Sequence, residues 1–234
     1  MFRTTVATLA CCGVLSLTAC GGGGESAVAT PPVATTKTFD LKTTYANFLQ
    51  TTVTRTFTLT GSASGLAVTG SGSTTLGALQ AATFLGSPAL VRTQTMTASL
   101  SANGQTIPFG TSGQSYYDSN YNPLGATGVN FSVVESRISL PTAAKINDTG
   151  VWMTMTNYPG SNKEYVKGTT TVSYSLGADS DTSAILTLIN SEKSASGQAL
   201  SSTVATYRIT TSNSVTPLTE SLQSAEGLLS LTYR

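Results

Sequence analysis

The chain has 234 residues, 12 Lys+Arg against 11 Asp+Glu, and a net charge of +1 with no run of like charges, which argues against a nucleic-acid partner. It contains no histidine, so the commonest general base and the commonest metal ligand are missing, and no enzyme, cofactor or metal site is expected. The 42 threonines and 30 serines are about 31% of the residues, far above average usage, and point to a neutral, hydroxyl-covered β protein.

Residues 1–19 read as a targeting segment: Arg3 beside the terminal amine, an apolar stretch from Val6 to Leu17, then small residues. The stretch is too short to span a bilayer. It ends in Leu17-Thr18-Ala19-Cys20, which resembles the lipobox of bacterial lipoproteins, where cleavage before the cysteine follows diacylglycerol transfer to its thiol. The resemblance implies that Cys20 becomes the lipidated first residue of the mature chain and that Leu17, Thr18 and Ala19 form the signal-peptidase recognition site. Neither Cys11 nor Cys12 has that context, so both leave with the signal and the mature chain can form no internal disulfide. Gly21 stands where an aspartate marks inner-membrane retention in enterobacterial lipoproteins. The expected location is therefore the cell envelope, anchored to the outer membrane through Cys20 on its periplasmic or surface face.

From Gly21 to about Lys37 the chain is Gly, Ala, Thr, Pro and Val, a tether with a reach of roughly 20 to 25 Å. A single β-rich domain is expected over residues 38–234. Val53, Arg55, Phe57 and Leu59 alternate with Thr54, Thr56, Thr58 and Thr60, the period of a strand with one dry and one wet face. Similar strands are predicted at Val91 to Leu100, Gln114 to Tyr117, Phe131 to Leu140, Val151 to Tyr158, Thr169 to Leu176, Ala184 to Asn190, Thr203 to Thr210 and Leu228 to Tyr233. Leu66-Ala67-Val68 is either a further strand or part of a Gly/Ser loop. Short helices are predicted at Lys42 to Gln50 and Leu76 to Leu85, where apolar residues recur at spacings of three and four. Asn103-Gly104 predicts a type I′ hairpin, Pro108 makes its second arm an edge, Pro159-Gly160 predicts a type II turn, and Gly177 to Thr182 links two strands. The fold class is thus all-β and antiparallel, about nine strands with one or two short helices at most, arranged as a curved sheet, a half-barrel or a sandwich.

Tyr116, Tyr117, Asp118, Asn120 and Tyr121 form the most ligand-like stretch, since tyrosines offer stacking surface and a hydroxyl while Asp and Asn offer hydrogen bonds. The bland alternative is tyrosines packed over a sheet end with Asn122-Pro123 making a turn. The oxygen ligands at 118, 120 and 122 begin like an EF-hand loop, but Pro123 and Val129 replace its glycine and its glutamate. Asp148-Thr149-Gly150 has the three-letter core of aspartic proteases but no second copy, and reads as a turn before a strand. Asp179-Ser180-Asp181 reads as a wet hairpin tip. Trp152, placed by period two on one face with Thr154, Thr156 and Tyr158, is core or groove lining.

Beyond residue 20 the chain is similar to uncharacterised secreted β-rich lipoproteins, through the stretch Tyr116 to Gly125 and the turn Gly150-Val151-Trp152; that likeness implies no activity. Two functions fit. One is a non-enzymatic module that binds an envelope protein or a glycan through its loops and edges. The other is a carrier or receptor for a lipid or another apolar ligand, held in a half-barrel cavity for which Met96, Met153 and Met155 are natural linings. The two differ in whether the inward face of the sheet is filled.

Overall fold

A computed structural model describes residues 37–234; the lipobox residues Leu17, Thr18, Ala19 and Cys20 and the linker up to residue 36 lie outside the described residues. Helix α1 (Leu41–Gln50) comes first and is followed by thirteen strands. Leu41, Thr44, Tyr45, Phe48 and Leu49 recur at i, i+3, i+4, i+7 and i+8, which puts them on one helical face. Asp40 caps the start: its carboxylate accepts the Thr43 backbone N–H at 2.8 Å and the Thr43 hydroxyl at 2.7 Å. Just before it, Phe39 is fully buried and pairs in a two-way backbone bridge with Ala144.

The strands are β1 (Val53–Ala63), β2 (Leu66–Leu76), β3 (Gln80–Phe84), β4 (Ser87–Ala102), β5 (Gln105–Tyr117), β6 (Pro123–Thr127), β7 (Phe131–Arg137), β8 (Thr149–Tyr158), β9 (Gly168–Ala178), β10 (Ser183–Ser194), β11 (Ala199–Thr210), β12 (Val215–Ser224) and β13 (Gly227–Tyr233). Every ladder is antiparallel. β1 pairs with β13, Leu59 opposite Leu231, and β2 pairs with β4, Gly72 opposite Ala98, so twelve strands close into a ring and β3 is left beside the first half of β4. The fold is therefore all-β with one short helix, as the composition and period imply, but it is a closed barrel and not a half-barrel or a sandwich. Closure joins the sheet ends that those two alternatives would have kept apart, although β3 and the first part of β5 each still pair on one side alone.

The expected nine strands are too few. β2, β6 and β12 contain glycine, serine or proline that blurs the alternation, and β3 falls where a helix is predicted. The predicted helix over Leu76 to Leu85 is the end of β2 and all of β3: the register Gln80↔Val91 to Phe84↔Ser87 forms a hairpin whose backbone bonds outweigh weak helical spacing. The helix predicted from Lys42 does form. Asn103 and Gly104 take φ of 50° and 71°, both left-handed as a type I′ turn needs. Pro108 falls in the part of β5 that pairs with β4 alone, on an edge as predicted. Gly160 is not in the left-handed region that a type II turn demands; the chain instead turns over Gly160 to Lys163, with Lys163 N–H donating to the Gly160 carbonyl at 3.0 Å.

Side chains alternate across the wall. In β9, Thr170, Val172, Tyr174 and Leu176 are buried while Thr169, Thr171, Ser173 and Ser175 are not. In β1, Phe57 and Leu59 point inward and Thr54, Thr56 and Thr60 are exposed outside. The outward faces of β1 and β9 carry mostly hydroxyls, and no helix of the described residues is long and apolar enough to cross a membrane. Twelve strands enclose more room than the eight that side chains just fill, so the interior must be plugged or hollow. It is both. Phe57, Leu59, Val68, Met96 and Leu231 fill the region beside the β1–β2 and β12–β13 hairpins, and Trp152, Val172, Leu176 and Ile209 pack with Phe39 and Leu41 near α1.

Candidate ligand cavity

Helix α1 lies over one mouth of the barrel and turns its apolar face inward. Tyr45 meets Trp152 edge-on with ring centroids 4.8 Å apart and Tyr117 at 6.3 Å, while Phe48 meets Tyr207 at 6.1 Å. Thr44 is tied to Asn213 in the β11–β12 turn by a 3.2 Å hydroxyl-to-amide-oxygen bond. Beneath the helix lies a cavity of about 250 Å³. Its walls are mostly apolar: Phe48 and Leu49 from the helix, Trp152, Met153 and Met155 from β8, and Leu186 and Leu188 from β10. A bulge in β8, where Val151 pairs with Ser173 but Met153 pairs with Val172, turns Trp152 inward. Strict alternation had put Trp152 on the face of Thr154, Thr156 and Tyr158; the extra residue separates it from them.

Polar groups also face this space. The Arg92 guanidinium, 4% exposed, donates from Nε to the Gly77 carbonyl at 3.1 Å and from Nη2 to the Thr51 carbonyl, and lies 4.9 Å from the centre of the Phe48 ring. Burial pulls its pKa below the ordinary value, and nearby Tyr117 and Tyr45 act the other way. Glu220 on β12 is buried, and burial pushes its carboxyl up to about 7, against the opposing effect of a 2.9 Å bond from the Tyr233 hydroxyl. Among the described residues, three buried side-chain polar atoms have no hydrogen-bond partner: Arg55 Nε, Thr74 Oγ1 and Asn190 Oδ1. All three residues line this cavity.

Towards the other end a second space of about 140 Å³ is lined by hydroxyls and amides. Several of its polar groups pair with one another: Ser132 donates to Asn157 Oδ1 at 2.8 Å, Asn157 Nδ2 donates to Thr170 at 2.8 Å, and Ser201 donates to Glu192 at 3.0 Å. Met96 and Met155 line this space, and Met153 and Met155 the apolar one.

The tyrosine-rich stretch is split by the pleat. Tyr117 points inward and lines the cavity, whereas Tyr116 points outward and stacks on Phe84 at 4.7 Å, with Phe131 stacked on the far side of Phe84 at 5.5 Å. Asp118, Asn120 and Tyr121 form a tight loop at the helix-capped end. Asp118 Oδ1 accepts the backbone N–H groups of Asn120 at 2.8 Å and Asn122 at 2.9 Å, and Arg137 pairs with Oδ2 at 3.3 Å. Desolvation raises the Asp118 carboxyl, but the bonds from Asn122 and Asn120 and the Arg137 charge outweigh it, so it sits below its usual range. Tyr121 takes φ of 62° and donates its N–H to the Asp118 carbonyl. The hydrogen-bonding capacity of this loop is thus spent largely on itself.

Asp179 is likewise engaged, accepting Nε of Arg208 at 2.8 Å and Nη2 at 3.1 Å. Asp148 accepts the Lys145 backbone N–H at 2.8 Å in the turn before β8. No group of three or more His, Cys, Asp or Glu that could hold a metal ion occurs among the described residues. Sequence reasoning missed Arg55, Thr74, Arg92, Asn190 and Glu220; the available signal was a charged or amide residue on the apolar side of an alternating strand, which Arg55 shows plainly. The chain matches no protein-family model, no curated protein and no solved structure.

Proposed function

We propose that this chain is a non-enzymatic binding protein of the bacterial cell envelope, anchored through lipidated Cys20, whose barrel carries a small and largely apolar ligand beneath helix α1. The observation that supports this reading most directly is the cavity itself: about 250 Å³ of mainly apolar interior, lined by adaptable methionines and aromatic rings, with a few polar atoms directed into it. A wall built only for stability would be filled, as the neighbouring cluster around Phe57 and Leu231 is. The size is just below the common range for small-molecule sites, which suits a compact ligand. The tyrosine stretch favours this function over loop-mediated capture of a protein or glycan, because Tyr117 serves the cavity wall and Asp118 its own loop.

The three hydrophobic clusters of the described residues lie between Phe39 and Tyr233, within the segment 37–234. Exported to a periplasm, purified without detergent and examined by native mass spectrometry, this segment should carry a reproducible non-covalent adduct that organic extraction removes. A bare polypeptide mass from repeated preparations would count against the carrier. The anchor is tested separately: Cys20→Ala should release the protein from the membrane fraction, and equal retention of the variant would rule out lipidation at Cys20.

A further inference from the structure

The second question about the cavity is which polar group its ligand bears, and the answer rests on the reading that the cavity binds a ligand at all. Arg55 and Thr74 are register partners on adjacent strands, β1 and β2, so their side chains leave the wall side by side. Arg55 Nε and Thr74 Oγ1 are both buried and unpartnered. One is an N–H donor, the other a hydroxyl free to rotate its proton towards an acceptor. Two donors at register-paired positions of neighbouring strands match the two oxygens of one carboxylate, and a charge-assisted pair of this kind is stronger than neutral alternatives.

The charge balance of the wall points the same way. Arg55 and Arg92 line the cavity as cations, and Glu220 is the acidic residue among the lining side chains. Arg92 is held by two backbone carbonyls, so its charge is not cancelled by an anion, and the Glu220 carboxyl is paired with the Tyr233 hydroxyl rather than with either arginine. The interior therefore favours an anion. Asn190 Oδ1, the remaining unpartnered atom, is an acceptor, but Asn190 lines the polar space as well as the apolar one and marks the boundary between them. Met153, Met155 and Leu188 offer apolar surface for a tail.

We infer that the ligand is a monocarboxylate with an apolar tail, its carboxylate bound by Arg55 Nε and Thr74 Oγ1 and its tail lying against the methionines of β8. The test uses two probes with one tail, sodium octanoate and 1-octanol, titrated into the segment 37–234 by isothermal calorimetry at pH 7.5. Emission of Trp152, the chain's one tryptophan and part of the cavity wall, is the second readout. Octanoate should bind at least tenfold more tightly than octanol. Arg55→Met keeps the stem and removes the donors, so it should bring the two probes to within about twofold of each other. Thr74→Val, a near-isostere, should narrow the octanoate preference in the same direction and stands in should the arginine variant fail to fold.

Octanol binding as tightly as octanoate, or an octanoate preference that survives both substitutions, overturns the carboxylate assignment and leaves the apolar cavity standing. Binding of neither probe, with unchanged Trp152 emission, overturns both.

Discussion

Replacing Glu220 with glutamine should abolish a pH dependence of stability that the barrel builds into its own wall. Burial raises this carboxyl from 4.5 to about 7, so between those values the folded chain keeps a proton that the unfolded chain has released. Unfolding free energy therefore falls as pH rises: the stability is fully present below about pH 4.5 and is lost as pH passes 7. At about 1.4 kcal/mol for each pH unit separating the two values, the loss is roughly 3 kcal/mol. Glutamine retains an oxygen to accept the Tyr233 hydroxyl and carries no charge to desolvate. For a chain of this size each kcal/mol moves Tm by about 2–4 °C, so Glu220→Gln should melt about 6–12 °C above the parent at pH 8.5 and nearly level with it at pH 4.5. Scanning calorimetry of both proteins from pH 4.5 to 8.5 measures this. Asp118 and Asp179, whose carboxyls are held below their usual range, act at lower pH and in the opposite sense, since what they contribute is lost as pH falls. Parallel curves for variant and parent between pH 5 and 8.5 would mean that Glu220 is already ionised in the folded barrel, and the burial argument would fail.

Other substitutions probe the lid and the wall. Asp40→Ala removes the cap of α1 and should cost about 1 kcal/mol, seen as a Tm lower by about 2–4 °C and faster amide exchange in the first helical turn. Tyr45→Ala takes away the ring that meets Trp152 edge-on, so acrylamide should quench Trp152 more strongly than in the parent; equal quenching would show that α1 does not shield the cavity. At Gly72 a Cβ would stand 2.2 Å from the Thr97 carbonyl oxygen and 2.7 Å from the Phe57 ring, so Gly72→Ala should destabilise by about 1–3 kcal/mol in urea titration. Gly110→Ala, where the nearest atom would be 3.8 Å away, should be close to neutral.

What the sequence disclosed follows from where local and global preferences agree. Strands such as β1 and β9, with threonine or serine on nearly every outward position, are legible because propensity and burial have the same period. β12 is not, since Pro217 argues against a strand; in the barrel it sits at a register shift opposite Tyr207, where the ladder is already broken. Leu85-Gly86 makes a turn with φ of 51° and 80°, matching Asn103-Gly104, but leucine gives no warning of a left-handed conformation. Closure is less legible still. It depends on β1 finding β13 across most of the chain, and no period of two or 3.6 reports on that pairing. The cavity residues were hidden for the same reason, because Arg55 on β1, Glu220 on β12 and Asn190 on β10 share a lumen only once the ring exists.

The pairing of β1 with β13 also fixes when the protein can finish folding. Residues 53 to 63 are synthesised long before residues 227 to 233, and until the latter arrive the sheet is an unclosed ribbon with bare edges on β1 and β12. Hairpins can form locally and early, whereas the clasp joins positions more than 160 residues apart, a slow kind of contact to make. For that interval the chain is open to strand addition by a second copy of itself. Deleting β13 would leave eleven of the ring's twelve strands present and yet prolong the vulnerable state indefinitely, so completion of the fold comes down to a single event: whether the clasp has shut.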